Sequence, residues 1–258
     1  MKKLILATLI GVTLLSCETE KQKLSNQLTM STLWYQQSAE MMQSYLQSYQ
    51  YAKLLLDKKI ENRRSEKPAA VVLDIDETVL DNSPYEVMLI DSGKTYSYNT
   101  WKQWTDAARA EALPGALEFV NYAKEKGVEV FYISNRSTEE LATTIVNLKD
   151  KNFPNASEQY MAFKEGTSDK TERRNKVLEN YDVLVFVGDN LTDYSEIFAD
   201  RGSDMGKALV EKHKAELLEN FVMLPNPMYG EWEGAIYNND YTIADSTKLK
   251  MRKEKLIR

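Results

Sequence analysis

Ala69-Ala70-Val71-Val72-Leu73-Asp74-Ile75-Asp76-Glu77-Thr78 runs five apolar residues straight into one acid and reaches a second two positions later. In an extended chain, residues two apart share a face, so both acids are expected to point into one site at the end of a buried strand. At ~4 Å and an effective dielectric of ~20, two unit charges repel by about 4 kcal/mol. Something positive has to offset that repulsion, or one acid has to stay protonated. A divalent cation is an economical solution.

A second acidic motif lies downstream. Asp182-Val183-Leu184-Val185-Phe186-Val187-Gly188-Asp189-Asn190-Leu191-Thr192-Asp193 is again a continuous apolar run, the pattern of a strand buried on both faces, ending in Gly-Asp. Taken alone, Asp189 has a simpler, second reading as a cap of the following helix. Between the two motifs, a third apolar run from Val128 ends at Ser134-Asn135, and a basic helix start falls at Lys170. Open α/β folds place ligands at the carboxyl ends of parallel strands, so these pieces are expected to converge on one crevice.

Asp74-x-Asp76-x-Thr78, Ser134, Lys170 and Asp189-x-x-x-Asp193 resemble, in order, the four motifs of the haloacid dehalogenase-type phosphatases. Asp76-Glu77-Thr78-Val79-Leu80-Asp81-Asn82-Ser83-Pro84-Tyr85, Ser134-Asn135-Arg136, Gly188-Asp189-Asn190-Leu191 and the stretch from Met223 to Glu233 resemble the class C acid phosphatases of the lipoprotein e family. The likeness spans about residues 65 to 240. It implies a haloacid dehalogenase-like (Rossmann-type) parallel sheet flanked by helices, with a small α-helical cap.

The resemblance also implies a chemistry. Asp74 is the nucleophile, forming an aspartyl-phosphate, and Asp76 protonates the leaving alcohol and later takes a proton from water. Magnesium is the expected cofactor, with Asp74, the Asp76 carbonyl and Asp189 as ligands and Asp193 holding metal-bound water. Ser134, Asn135 and Lys170 would bind the phosphoryl group. Lys164 and Lys176 are rivals for the lysine, and Lys170 is preferred for its place at a helix start, where backbone N–H groups also attract anions. Trp101 and Tyr229 match positions where the family sandwiches a ring, so nucleoside monophosphates are the expected substrates. A broad-specificity phosphatase, a phosphotransferase to alcohols and a surface lipoprotein that binds without turnover are the alternatives.

Other chemistries find no support. His213 is the lone histidine, set in a charged helical face with no Arg-His-Gly beside it, which argues against a phosphohistidine enzyme. One histidine and one cysteine cannot form a zinc cluster. Neither Gly-x-x-x-x-Gly-Lys-Ser/Thr nor Gly-x-Gly-x-x-Gly is present.

Met1-Lys2-Lys3, an apolar run from Leu4 to Leu15, and Ser16-Cys17 read as a signal peptide too short to span a bilayer. Leu14-Leu15-Ser16-Cys17 resembles the bacterial lipoprotein cleavage box, implying a lipid-modified Cys17, a membrane partner through that anchor and a place in the cell envelope, the outer membrane being the expected one. Losing Lys2 and Lys3 takes the formal charge from −6 to −8, so nucleic acid is not an expected partner. With Cys17 consumed no disulfide can form, and about 240 residues must hold the fold by their core. Homodimerisation stays open.

The expected organisation is a leader over 1–16, a lipidated cysteine and polar tether over 17–30, and amphipathic helices over 31–64. A catalytic core occupies 65–84 and 114–245, a cap insertion 85–113, and a basic, solvated helical tail 246–258. Within the core, strands are expected at 69–74, 128–133, 160–163, 182–187 and 221–224, alternating with helices.

Overall fold

The structure, a computed structural model, describes residues 18–257. The leader and Cys17 lie outside the described residues.

β1 (Ala69–Leu73) is the middle strand of the sheet. It pairs in parallel with β4 (Glu129–Ser137) on one side and β6 (Asp182–Gly188) on the other. β5 (Met161–Lys164) and β7 (Phe221–Met223) extend the sheet in the order β5-β4-β1-β6-β7, all parallel. The chain steps outward from β1 to β5, then returns to the other side of β1, so a topological switch point falls at the tip of β1.

Both faces of the sheet are covered, which is why the strands read as continuous apolar runs. Val71, Leu73, Val130, Tyr132, Val185 and Val187 join one buried cluster, while Ala70, Val72, Phe131, Ile133 and Phe186 join another. The alternation follows the two-residue period of the strand. The first face carries α3 (Ala39–Asn62) and α6 (Ala116–Glu125), through Tyr45, Tyr49, Ala52, Leu56, Phe119 and Val120. The second carries Val177 of α8 (Thr171–Asn180) and Leu217 of the helix Lys214–Asn220.

Between β1 and α6 the chain makes an excursion. β2 (Leu80–Asp81) and β3 (Glu111–Ala112) pair antiparallel and close its base. Inside that closure lie α4 (Ser83–Ser92) and α5 (Tyr98–Asp106), the helical cap. α5 is pinned to the core where Tyr98 Oη meets Ser137 Oγ at 2.9 Å and Thr105 Oγ1 donates to Glu140 Oε1 at 2.7 Å. α7 (Leu141–Asp150) follows.

Three local expectations change. The strand expected at 128–133 continues to Ser137, because Ser137 pairs with Lys164 beyond an irregularity in the ladder, so Ser134 and Asn135 lie within the strand rather than past it. The segment expected to be a polar tether over 17–30 is, where described, helical: α1 (Glu20–Asn26) and α2 (Leu28–Gln37). Leu24 is buried, and Ser25 Oγ donates to the Leu89 carbonyl at 2.7 Å, so a few inward groups dock an otherwise polar segment. The tail forms the helix Asp245–Glu254, but it is not solvated all round. Leu249 is buried, and Arg252 donates to Tyr237 Oη and Glu233 Oε1, both at 2.5 Å.

Candidate active site

β1 ends at Leu73, and the ladder runs one residue further, with Asp74 N donating to the Val187 carbonyl at 3.0 Å. Asp74 is therefore held by backbone and buried. The chain then folds back on itself: the Ile75 carbonyl accepts from the N–H groups of Thr78, Val79 and Leu80, at 3.3, 2.9 and 2.9 Å. This tight loop forces Glu77 to φ 53°, a left-handed conformation rare for its residue type. Two tyrosines of α3 satisfy the loop from below. Tyr45 Oη donates to the Glu77 carbonyl at 2.6 Å and Tyr49 Oη to the Thr78 carbonyl at 2.7 Å.

Asp189 follows β6, and Asp193 sits in the first turn of the short helix Leu191–Tyr194. Carboxylate oxygens of Asp74, Asp189 and Asp193 all lie within 4.8 Å of one another, and all three residues are buried. Lys170, at the N-cap of α8, points into the group: its Nζ donates to Asp74 Oδ1 at 2.5 Å and to Asp193 Oδ1 at 2.7 Å. Asp193 also caps its own helix, Oδ2 accepting from Asn190 N at 2.9 Å. Gly188 makes room for this. A Cβ there would lie 2.2 Å from Asp193 Oδ2 and 2.6 Å from its Cβ and Cγ.

Burial, then the neighbouring charges, sets the electrostatics. Asp74 is raised to about 7, chiefly by burial, with Lys170 pulling it down and Asp193 and Asp76 pushing it up. Burial, Asp193 and Asp74 hold Asp189 well above the usual carboxylate range, against one hydrogen bond from Asn226 Nδ2 at 2.8 Å. Lys170 is raised because Asp193 and Asp74 outweigh the burial that alone would lower it. Three carboxylates facing one ammonium leave excess negative charge, and the donors are all hard oxygens. That set fits a divalent cation.

Asp76 stands apart from the triad. Its carboxylate pairs with Arg136, whose Nε and Nη2 lie 2.9 and 2.8 Å from Oδ1. Asn82 Nδ2 donates to the same oxygen at 2.9 Å, and Ser134 Oγ donates to Oδ2 at 3.3 Å. The offsetting charge for the Asp74–Asp76 pair is thus split: Lys170 serves one acid and Arg136 the other.

The chain is similar to known proteins. The family model of the haloacid dehalogenase superfamily, subfamily IIIB (acid phosphatase), covers residues 11–232. The chain belongs to that family. The class C acid phosphatase of Bacillus anthracis is 41% identical, with a TM-score of 0.87 over 92% of this chain and 99% of that one. Its tungstate-bound structure is 40% identical, at TM-score 0.86 and the same coverage. Acid phosphatase 1 of Solanum lycopersicum is 26% identical over 61% of this chain and 57% of its own length. The Stem 28 kDa glycoprotein of Glycine max is 26% identical over 61% and 58%. The chain spans less than three fifths of either plant protein's length.

Within this acid phosphatase fold, Ser134 Oγ and Asn135 face different ways. Ser134 is fully buried beside Asp76, while Asn135 is exposed and its Oδ1 accepts from Arg173 Nη2 at 2.7 Å. Arg173 also donates to the Ser134 carbonyl at 2.5 Å and to the carbonyls of Ser168 and Asp169 at 3.1 Å each, clamping the tip of β4 to the loop before α8. Trp101 lies half-buried in the cap, edge-on to Tyr85 with ring centres 5.2 Å apart. Tyr229 is partly buried against the same core, and its hydroxyl has no hydrogen-bond partner among the described residues. No ring contact joins Trp101 to Tyr229 among them.

Sequence reading left Arg136, Asn82, Arg173 and Asn226 without roles. Arg136 had a usable signal, since it follows Ser134 by two and so shares its face in an extended chain. Arg173 had none, because a helix position reaching back to a strand tip is a tertiary matter.

Proposed function

We propose that this acid phosphatase-family protein hydrolyses phosphomonoesters, nucleoside monophosphates foremost, through a covalent phosphate on Asp74. The observation that carries the reading is the placement of Asp74 at the tip of the central strand, touching Lys170 and sharing a cluster with Asp189 and Asp193.

In the proposed reaction an Asp74 oxygen bonds to phosphorus as the ester P–O bond breaks. Asp76 gives its proton to the departing alkoxide, then takes one from the water that attacks phosphorus and frees Asp74. Lys170 and Ser134 hold phosphoryl oxygens, with Asn135 at the rim. Lys170 neutralises charge on both the carboxylate and the incoming phosphate, which is most of what phosphoryl transfer asks of a protein. A divalent cation, with magnesium the choice for hard oxygen donors, would be held by Asp74, Asp189 and Asp193, together with the Asp76 carbonyl, and would supply further charge neutralisation at the phosphate. Trp101 and Tyr229 are proposed to flank a base, and stacking on an aromatic is worth ~1–3 kcal/mol per base. The sequence leader extends the proposal to a lipid-anchored envelope enzyme, for which the mass of the mature N-terminal peptide is the check.

The test is turnover of p-nitrophenyl phosphate, a nucleoside monophosphate and glycerol phosphate, each with magnesium and with chelator. Activity lost on chelation and restored by magnesium is expected. Turnover indifferent to the cation would remove it from the proposal, and absence of turnover would leave only a binding protein. For the base, Trp101→Ala and Tyr229→Ala should lower kcat/KM on the nucleotide by about 5–100-fold, the range of one stacked base, while sparing glycerol phosphate. Equal losses on both esters would dismiss stacking.

A further inference from the structure

Arg136 has no part in the reaction as written above, yet it is built into the site with unusual completeness. Its side chain is 1% exposed, and it meets a carboxylate that is 16% exposed. Two of its nitrogens converge on a single oxygen, Asp76 Oδ1, and Asn82 Nδ2 adds a third bond to that oxygen. The third nitrogen, Nη1, is fixed on Thr144 Oγ1 at 3.0 Å. Asn82 is oriented in turn, its Oδ1 accepting from Trp104 Nε1 at 2.8 Å and from Arg136 Nη2 at 3.3 Å. The Trp101 ring covers the guanidinium, 5.8 Å from ring centre to Cζ.

The two oxygens of Asp76 are therefore unlike. Oδ1 receives three donors, and a carboxylate oxygen has only about two lone-pair sites, so no capacity is left there for a proton. Among the described residues Oδ2 receives only the long Ser134 contact of 3.3 Å. A symmetric, two-oxygen Arg–carboxylate fork is the common way to gain affinity. Here the guanidinium spends two bonds on one oxygen and leaves the other open. Buried ion pairs are also poor sources of stability, because desolvation offsets their attraction. Stability alone does not account for the arrangement.

We infer that Arg136, with Asn82, is the positioning residue of this site: by occupying Oδ1 it holds the carboxyl plane fixed and presents Oδ2 to the leaving group. The inference deepens the proposed reaction and rests on it. As the bond between phosphorus and the ester oxygen breaks and the Asp74–phosphorus bond forms, the Oδ2–H bond breaks and the proton moves to the ester oxygen. When water later attacks phosphorus and releases Asp74, a water proton returns to Oδ2. Nothing else is consumed. Trp101 and Trp104 tie this unit to α5, so the cap that would receive the substrate also braces the acid.

The experiment compares wild type, Arg136→Gln and Arg136→Lys on two esters with magnesium present. p-Nitrophenolate leaves without needing a proton, whereas an alkoxide needs one. Positioned proton transfer is worth 10²–10⁴-fold, so Arg136→Gln should lower kcat/KM, which reports only the step that forms the Asp74–phosphorus bond, by about 100-fold on an alkyl phosphate and by about threefold or less on p-nitrophenyl phosphate. The dependence of kcat/KM on leaving-group basicity should steepen. Arg136→Lys keeps the charge but cannot place two nitrogens on Oδ1, so it should show the same selective loss, smaller in size. Equal losses on both esters, with an unchanged leaving-group dependence in either variant, would overturn the inference and leave the reaction standing. Should Arg136→Gln fail to fold, Arg136→Lys alone decides between these outcomes. A wild type inactive on both esters would overturn the reaction itself, and this inference with it.

Discussion

On the Asp74 side of the strand tip, three buried carboxylates face one ammonium. On the Asp76 side, one carboxylate faces an arginine, an asparagine and a serine. The first pocket is short of positive charge, and burial pushes Asp74 and Asp189 upward, a setting that fits a cation. In the second, Asp76 Oδ1 is saturated with donors while Oδ2 is left open. The two acids stand two residues apart, yet one is incompletely compensated and the other is fixed through several bonds to one oxygen. Local donor supply, rather than distance along the chain, separates their roles.

The sharpest way to break the comparison is Asp74→Asn. It keeps the shape of the first pocket and removes the proposed nucleophile, so turnover of p-nitrophenyl phosphate should fall on the order of 10⁴-fold, a loss typical of removing a residue that forms the covalent intermediate. Retained activity would sink the assignment. Next in size is Gly188→Ala. The added methyl carbon would overlap Asp193 Oδ2, 2.2 Å away, and Asp193 cannot swing aside without leaving Lys170. Magnesium affinity, read by calorimetry or by the cation dependence of rate, should weaken about 10–100-fold, the size expected when a ligand or its support is displaced. Unchanged affinity would show that Asp193 plays no part in holding the cation.

Tyr45→Phe probes the loop that both pockets share and should have the smallest effect. Removing the hydroxyl strips the Glu77 carbonyl of its 2.6 Å donor and Tyr35 Oη of its 2.5 Å partner. Leaving such buried groups unsatisfied costs about 1–3 kcal/mol. Thermal unfolding should register a drop of about 2–4 °C per kcal/mol for a chain of this size. An unaltered midpoint would mean that the left-handed Glu77 turn holds without the Tyr45 hydroxyl.

Much of this site was readable in the chain because its parts are local. An apolar run ending in an acid specifies a buried strand with a carboxylate at its tip, and two such runs specify two neighbouring tips. The order of motifs placed Asp74, Lys170, Asp189 and Asp193 together, and the structure brings those four into contact. The polar segment before residue 31 misled for an equally physical reason. Composition counts polar residues, whereas docking of α1 depends on a few inward groups such as Leu24 and Ser25.

What the sequence by itself determined was which residues stand at strand ends, since burial on both faces leaves an unmistakable apolar pattern and forces the first charge to the tip. It also determined that two adjacent acids need positive charge nearby. What only the tertiary structure decided was where that charge comes from: Arg136 from the neighbouring strand for Asp76, Lys170 from a helix start 96 residues away for Asp74. It likewise decided that tyrosines of α3 hold the loop between them. Hydrogen bonds to a fixed oxygen depend on direction and on distances of a few tenths of an ångström, and those are set by how sheet, cap and helices pack together rather than by any local run of residues.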